Sequence, residues 1–298
     1  MKFARMGPAG RERPVVIDDD GRIFDLTGVT NDIDGAFLST EPVERVRAAH
    51  AAGDLPELAG ASGTTAAAQD ADEAGLDARF GAPVARPGKI VCVGLNYSDH
   101  AAETNTPPPA EPVVFFKASN TLVGPTDTVL IPRLSVKTDY EVELAIVIGK
   151  TARYLASPAD ASAVIAGFAV ANDVSEREFQ IERGGQWDKG KSCETFNPLG
   201  PWLVPAAEIS DPQALGLRLW VNGELRQNGN TSNMIFGINH IIWYLSQFMV
   251  LEPGDLINTG TPAGVGLGAN DFAYLREGDV VELEIDQLGR QRQVMGQA

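Results

Sequence analysis

The chain has 298 residues, 44% of them hydrophobic, enough for one large domain with a sizeable core or a large domain with a small appendage. Its net charge of −16 comes from 24 basic against 40 acidic side chains. That field repels phosphate backbones and anionic lipid, so nucleic acid and membrane surfaces are not expected as partners; a small anionic substrate stays open if the pocket supplies local positive charge. The only cysteines, Cys92 and Cys193, are too few for a disulfide framework, and no apolar run approaches a membrane span, so the expected location is the cytoplasm.

Residues 1–80 read as a small N-terminal domain and linker, and 81–298 as the main domain. Pro14–Ile17 and Arg22–Leu26 flank an Asp-Asp-Asp-Gly turn and predict a hairpin. Pro42–Ala52 predicts a helix with Pro42 in its first turn, and His50 near its end is expected to be solvated. Residues 60–75 read as a loop or linker.

From Lys89 onward short strands alternate with turns rich in glycine and proline. Lys89–Val93, Val113–Phe116, Val129–Ile131 and Gly167–Asn172 are strand-like, and Ser157-Pro158 opens a helix running to Ile165. Leu215–Val221 and Glu224–Gln227 bracket Asn222-Gly223, a hairpin signal. Thr231–Phe248 has helical spacing, with His240 as a packing residue inside it. Asp255–Asn258 and Val280–Ile285 complete the strands. Many strands with few helices predict a mixed α/β, mainly β fold rather than a doubly wound one.

The most informative stretch is Thr138–Gly149. Alternation over residues 140–148 predicts a strand, whose period of two puts Glu141 and Glu143 on one face and Tyr140, Val142, Leu144, Ile146 and Ile148 on the other. A solvated acidic face is the commoner reading of such a pair. Here Ala145 and Val147 continue the carboxylate face, so that face is expected to be covered. Covered paired carboxylates require a cation or a shared proton, and a divalent metal bound through oxygen is the reading adopted.

Other groups are weak signals singly. His100 and Glu103 are three apart, so a helical turn would put them on one face and let the carboxylate set the imidazole tautomer. Asp173 ends a strand and is by itself a helix cap. Arg177 and Gln180 follow it closely, and Lys191 lies in a polar loop. Thr259–Gly266 is a glycine-rich turn without the Lys-Ser/Thr ending of a phosphate loop.

Taken in order, GLNYSDHAAE (94–103), FFKAS (115–119), DYEVELAIVIGK (139–150), NDVSEREFQ (172–180), KGKSCETFNPLGPW (189–202), VNGELRQNGNTSNMIF (221–236) and LEPGDLINTGTPAGVG (251–266) resemble the fumarylacetoacetate hydrolase family. The resemblance implies that family's β-roll with a small N-terminal domain, a homodimer, and Glu141, Glu143 and Asp173 as ligands of Mg²⁺ or Mn²⁺. It implies a small-molecule 2-oxo acid substrate. His100, oriented by Glu103, would take a proton from water, and Lys191 would face the developing oxyanion. Arg177 and Gln180 would support that region, Thr261 would hold the substrate carboxylate, and Tyr97 and Lys117 would line the pocket. Glu176, where relatives often have alanine, is expected to face solvent.

Chain length and motif wording are most similar to the branch cleaving 2,4-diketo-3-deoxy sugar acids (rhamnonate or fuconate type) to pyruvate and a hydroxy acid such as lactate. There Arg183, Gln186, Asn230 and Ser232 would meet the C5 hydroxyl. The alternatives are an isomerase or decarboxylase of related 2-oxo acids and a non-catalytic scaffold that binds metal or acid.

Overall fold

The computed structural model describes residues 1–58, 79–103, 107–268 and 274–298. The loop predicted over residues 60–75 lies outside them. Strands β1 (Lys2–Met6), β2 (Arg13–Ile17) and β3 (Ile23–Asp25) form an antiparallel sheet in that order. The β2–β3 turn is nucleated by Asp18, whose Oδ1 accepts from the backbone N–H of Asp20 at 3.0 Å and of Arg22 at 2.8 Å. Helices α1 (Gly35–Leu38) and α2 (Pro42–Ala52) follow, the second over the range predicted. His50 is half-buried rather than solvated, because its ring packs edge-on against Phe24 at 4.6 Å and its Nε2 lies 3.6 Å from Asp18 Oδ2.

The main body starts with β4 (Ile90–Gly94), α3 (Ser98–Glu103), β5 (Val113–Lys117), β6 (Leu122–Val123), β7 (Val129–Ile131), β8 (Thr138–Asp139), β9 (Val142–Ile148), β10 (Ile165–Asn172) and β11 (Ser175–Glu176). It continues through α4 (Asp188–Lys191), β12 (Asn197–Pro198), β13 (Val204–Pro205), β14 (Gly216–Val221), β15 (Glu224–Asn230), α5 (Ile238–Ser246), β16 (Leu256–Asn258), β17 (Val280–Ile285) and β18 (Gly289–Gln297). A six-stranded sheet in the order β13-β10-β9-β16-β4-β5 lies at the centre, and a five-stranded sheet β15-β14-β17-β18-β7 packs on it. The fold is mixed α/β and mainly β, as expected.

Strand β9 has the two faces its alternation predicts, both buried. Tyr140, Val142, Leu144, Ile146 and Ile148 join one core with Leu217, Leu219, Val281, Leu283 and Ile285 of the five-stranded sheet and with Ile241, Ile242 and Leu245 of α5. Ala145 and Val147 join a second core with Phe3, Val16, Phe24 and Phe37 of the N-terminal segment. Ala169 and Ala171 of β10 belong to the same core.

Two elements differ from expectation. The helix predicted over Thr231–Phe248 is a 3₁₀ turn at Thr231–Asn233 and an α-helix only from Ile238. The intervening amides are captured elsewhere: Ile235 N–H donates to Asn96 O at 2.7 Å, and Phe236 N–H to Asn96 Oδ1 at 2.8 Å. The helix predicted from Ser157 is a 3₁₀ helix over Pro158–Val164, closed at its start by Asp160 Oδ2 accepting from Ser157 N–H at 2.9 Å. Among the described residues no helix is long and apolar enough to cross a membrane.

Because β9 contributes to both cores, truncating it should cost the whole fold. Ile146→Ala is expected to lower unfolding free energy by about 2–5 kcal/mol, read as a fall in the urea midpoint with an unchanged m-value.

Candidate active site

Register builds the acidic centre. Strands β9 and β10 pair antiparallel, with Glu143 opposite Ala171 and Val142 opposite Asn172. The ladder extends past β10, since Asp173 N–H donates to Glu141 O at 2.9 Å. Residues opposite each other in an antiparallel pair share a face, so Asp173 joins Glu141 and Glu143 on one side of the sheet. One carboxylate oxygen from each of the three lies within 4.8 Å of the others, and all three residues are buried.

Three cations meet this charge. Lys191 Nζ donates to Glu141 Oε2 at 2.6 Å and to Asp173 Oδ2 at 2.9 Å. Arg177 Nη2 lies 2.7 Å from Glu141 Oε1 and 2.7 Å from Asp139 Oδ2. Lys117 Nζ pairs with Asp173 Oδ1 and donates to Val174 O at 3.0 Å. Burial favours a neutral Glu141, but Lys191 and Arg177 outweigh it and hold the carboxyl down to about 2. Burial likewise opposes charge on Lys191, and Asp173 and Glu141 overcome it and push its pKa up, so this ammonium is a fixed cation rather than a base.

Glu143 is treated differently. Among the described residues no cation lies within ion-pair distance of it; its Oε2 accepts from Gly260 N–H at 2.8 Å. Gly260 has φ +100°, and a Cβ there would meet Asn96 Cβ at 2.8 Å, so only glycine allows this approach. Burial, then Asp173 and Glu141, push the Glu143 pKa well above the usual carboxylate range. A buried carboxylate short of one positive charge, beside two others with oxygens converging, fits a hard divalent cation.

A cavity of ≈ 240 Å³ opens on this cluster, lined by Glu141, Glu143, Arg177, Gln180, Lys191, Thr261 and His100. His100 Nδ1 lies 3.4 Å from Glu103 Oε2, and the Glu103 carboxylate accepts from Gly264 N–H at 3.0 Å. The glycine-rich turn therefore steadies the residue that orients the imidazole.

Two residues expected to line the pocket, Tyr97 and Lys117, are absent from the cavity lining. Tyr97 is wholly buried in the core, with no hydrogen-bond partner for its hydroxyl among the described residues, and it does not line the cavity. Lys117 lies beneath the cluster, outside the cavity lining, because Asp173 holds it. The Thr261 hydroxyl lines the cavity but donates to Val142 O at 2.9 Å and accepts from Gln227 Nε2 at 2.8 Å. Its one proton is already used within the fold. Gln180 Oε1 accepts from Arg177 Nη1 at 3.0 Å, which makes it a support for the guanidinium. Glu176 is fully buried rather than solvent-facing, accepting from Thr138 Oγ1 at 3.0 Å and from Ser135 Oγ.

Asp139 was not singled out from the sequence. It is fully buried, accepts from Arg177 Nε at 2.8 Å, and also accepts from the backbone N–H groups of Gly266 at 2.8 Å and Leu267 at 3.0 Å. One carboxylate thus positions both the guanidinium behind Glu141 and one wall of the cavity. Its place beside Glu141 in sequence was the only available signal.

Residues 89–295 match the family model described as Fumarylacetoacetate (FAA) hydrolase C-terminal. A Burkholderia multivorans protein, whose name assigns it provisionally as a hydrolase without a substrate, is 48% identical over 295 residues, 99% of this chain and 98% of that one. Among solved structures, fumarylacetoacetate hydrolase from Exiguobacterium antarcticum superposes with a TM-score of 0.81 at 33% identity, over 100% of both chains. Maleylpyruvate hydrolase from Sphingobium sp. SYK-6 superposes with a TM-score of 0.79 at 30% identity, again over 100% of both chains.

Removing the guanidinium leaves Asp139 and Glu141 buried without their partner. Arg177→Ala is therefore expected to destabilise the protein by about 3–5 kcal/mol, measured by chemical denaturation of metal-free protein.

Proposed function

The chain belongs to the fumarylacetoacetate hydrolase family, and from that premise we propose that it is a metal-dependent hydrolase of 2,4-dioxo acids, releasing pyruvate and a carboxylic acid. The observation that carries this reading is the Glu141–Glu143–Asp173 oxygen cluster, in which Glu143 has no paired cation among the described residues, facing the same small cavity as the His100–Glu103 pair. Mg²⁺ or Mn²⁺ held by those three carboxylates would supply Lewis-acid polarisation to the two oxygens of the substrate's 2-oxo acid head.

The protein's own groups supply the remaining chemistry. His100, its tautomer set by Glu103, takes a proton from water as that water adds to the C4 carbonyl. The C3–C4 bond then breaks, its electron pair leaves on the departing pyruvate as the enolate, and the proton held by His100 is available for return to C3. Lys191, kept charged by Glu141 and Asp173, stands at the cavity wall where negative charge develops. Arg177, anchored by Asp139 and Gln180, holds Glu141 in orientation.

The expected sugar-acid substrate needs polar groups at C5, and the residues assigned to that task do not line the cavity. Arg183 pairs with Glu178 at 2.6 Å, Gln186 donates to Asp188 at 3.3 Å, and Asn230 Oδ1 accepts from Ser232 N–H at 2.9 Å. The reaction class is accordingly proposed without the diketo sugar-acid substrate.

Pyruvate release from acetylpyruvate by chelator-stripped protein, with and without added Mg²⁺ or Mn²⁺, tests the proposal. Metal-dependent release is expected, with His100→Ala lowering kcat by about 10²–10⁴-fold. Glu143→Ala should abolish both the activity and the rise in melting temperature that metal gives the wild type. Binding of metal without pyruvate release under any condition would overturn the hydrolase reading.

A further inference from the structure

Beyond the carboxylates, the cavity wall changes character. Val93, Leu95, Phe115, Ile181, Trp187 and Leu267 line the same cavity as the acidic cluster. Phe115 and Trp187 meet edge to face, with ring centroids 5.4 Å apart, and Trp187 lies directly on the Cα of Gly94, where a Cβ would come within 2.4 Å of its Cζ3. Lys191 Nζ lies 5.1 Å from the Phe115 ring centroid, so apolar and charged lining residues meet at Phe115. Ile181 and Leu267 are 46% and 40% exposed. Two large aliphatic side chains left to water on the rim of one small cavity are an apolar surface awaiting an occupant.

The charge arrangement points the same way. The cations lining the cavity, Lys191 and Arg177, are already paired with Glu141, Asp173 and Asp139, and His100 is engaged by Glu103. Arg183, next along the chain from Ile181 but one, is drawn off by Glu178 and stacks 4.6 Å from the Phe179 ring. Among the described residues that line the cavity, every cation already has a carboxylate partner, so none is left for a second substrate carboxylate. A chain of net charge −16 adds further repulsion against a dianion. A hydroxyl-rich arm would lose its water there without hydrogen bonds in return.

We infer that the substrate's acyl arm is an uncharged hydrocarbon, which makes this enzyme an alkanoylpyruvate hydrolase whose specificity is set by Phe115, Ile181, Trp187 and Leu267. The inference rests on the 2,4-dioxo acid reading of the site. It separates this chain from an enzyme whose substrate carries a carboxylate at its far end.

The test compares kcat/KM of the Mg²⁺-loaded full-length enzyme for acetyl-, butanoyl- and hexanoylpyruvate. The comparison set is a 5-hydroxyacyl analogue and an analogue ending in a second carboxylate. The expected result is a rise of about tenfold for each methylene that reaches the rim, with both polar analogues at least about tenfold below the alkyl substrate of equal length. Ile181→Ser and Leu267→Ser, both at exposed positions, should each reduce the ratio of hexanoyl- to acetylpyruvate kcat/KM. Calorimetric binding of unreactive 2-oxoalkanoates, from pyruvate to 2-oxooctanoate, supplies a readout independent of turnover, and affinity should climb with chain length. Turnover that favours the hydroxylated or dianionic analogue would overturn the inference while the hydrolase reading stands. Absence of turnover on every acylpyruvate would overturn the hydrolase reading; the apolar arm would then stand or fall on whether 2-oxoalkanoate affinity rises with length or stays flat.

Discussion

Three carboxylates buried within one small patch are the constraint that the rest of the site answers. Taking each ion out of water costs several kcal/mol, and mutual repulsion adds to that cost. Lys191 is shared between Glu141 and Asp173, Lys117 takes the other oxygen of Asp173, and Arg177 takes the other oxygen of Glu141. Each of those cations is itself buried, and for Lys191 and Arg177 the neighbouring anions outweigh the burial that disfavours charge. Asp139 extends the network by one layer, holding Arg177 with its side chain and the Gly266-Leu267 backbone with the same oxygens. Among the described residues each of these carboxylates has a paired cation except Glu143, which accepts from the Gly260 N–H.

The same strand that carries this charge also organises the packing. β9 sits between two cores, one shared with the five-stranded sheet and one shared with the N-terminal segment. Apolar burial on both sides stabilises the backbone on which the carboxylates are mounted, so their separation is fixed by the pleat rather than by side-chain freedom. Phe3, Phe24 and Phe37 belong to the same apolar core as Ala145 and Val147, so the N-terminal segment shares the packing on the face of β9 that carries the carboxylates. The polar strand β18 contributes in another way: Gln291 Nε2 donates to Val170 O at 2.7 Å and Gln293 Oε1 accepts from Asn172 Nδ2 at 3.2 Å, tying the central sheet to its neighbour.

Legibility from the sequence followed the range of the interaction involved. Periodicity reports local geometry, so β9, α2, β7 and β17 were readable, and the Glu141–Glu143 pair with its covered face followed from a period of two. β18 was not readable, because a strand whose buried positions are Gln291, Gln293 and Met295 carries no apolar alternation. The overlong helix at Thr231 failed for a related reason: the spacing of Ile235, Ile238 and Ile242 is helical, but Asn96, far away in sequence, takes the amides of Ile235 and Phe236. Glu176 and His50 looked solvated because their partners, Thr138 and Ser135 for one and Phe24 for the other, are met only in the folded state.

By itself the sequence determined the strand-rich class, the carboxylate face of β9 and the order of motifs that marks the family, since each is written in local pattern or linear order. Only the tertiary structure decided how those groups are used. It placed Asp173 opposite Glu141 through backbone pairing, left Glu143 short of a cation, and committed Lys117, Gln180 and the Thr261 hydroxyl to internal partners. It also brought Phe115, Ile181, Trp187 and Leu267 to the lining of one cavity. Their positions are scattered along the chain, and no one-dimensional pattern records that convergence; strand register and loop closure bring it about.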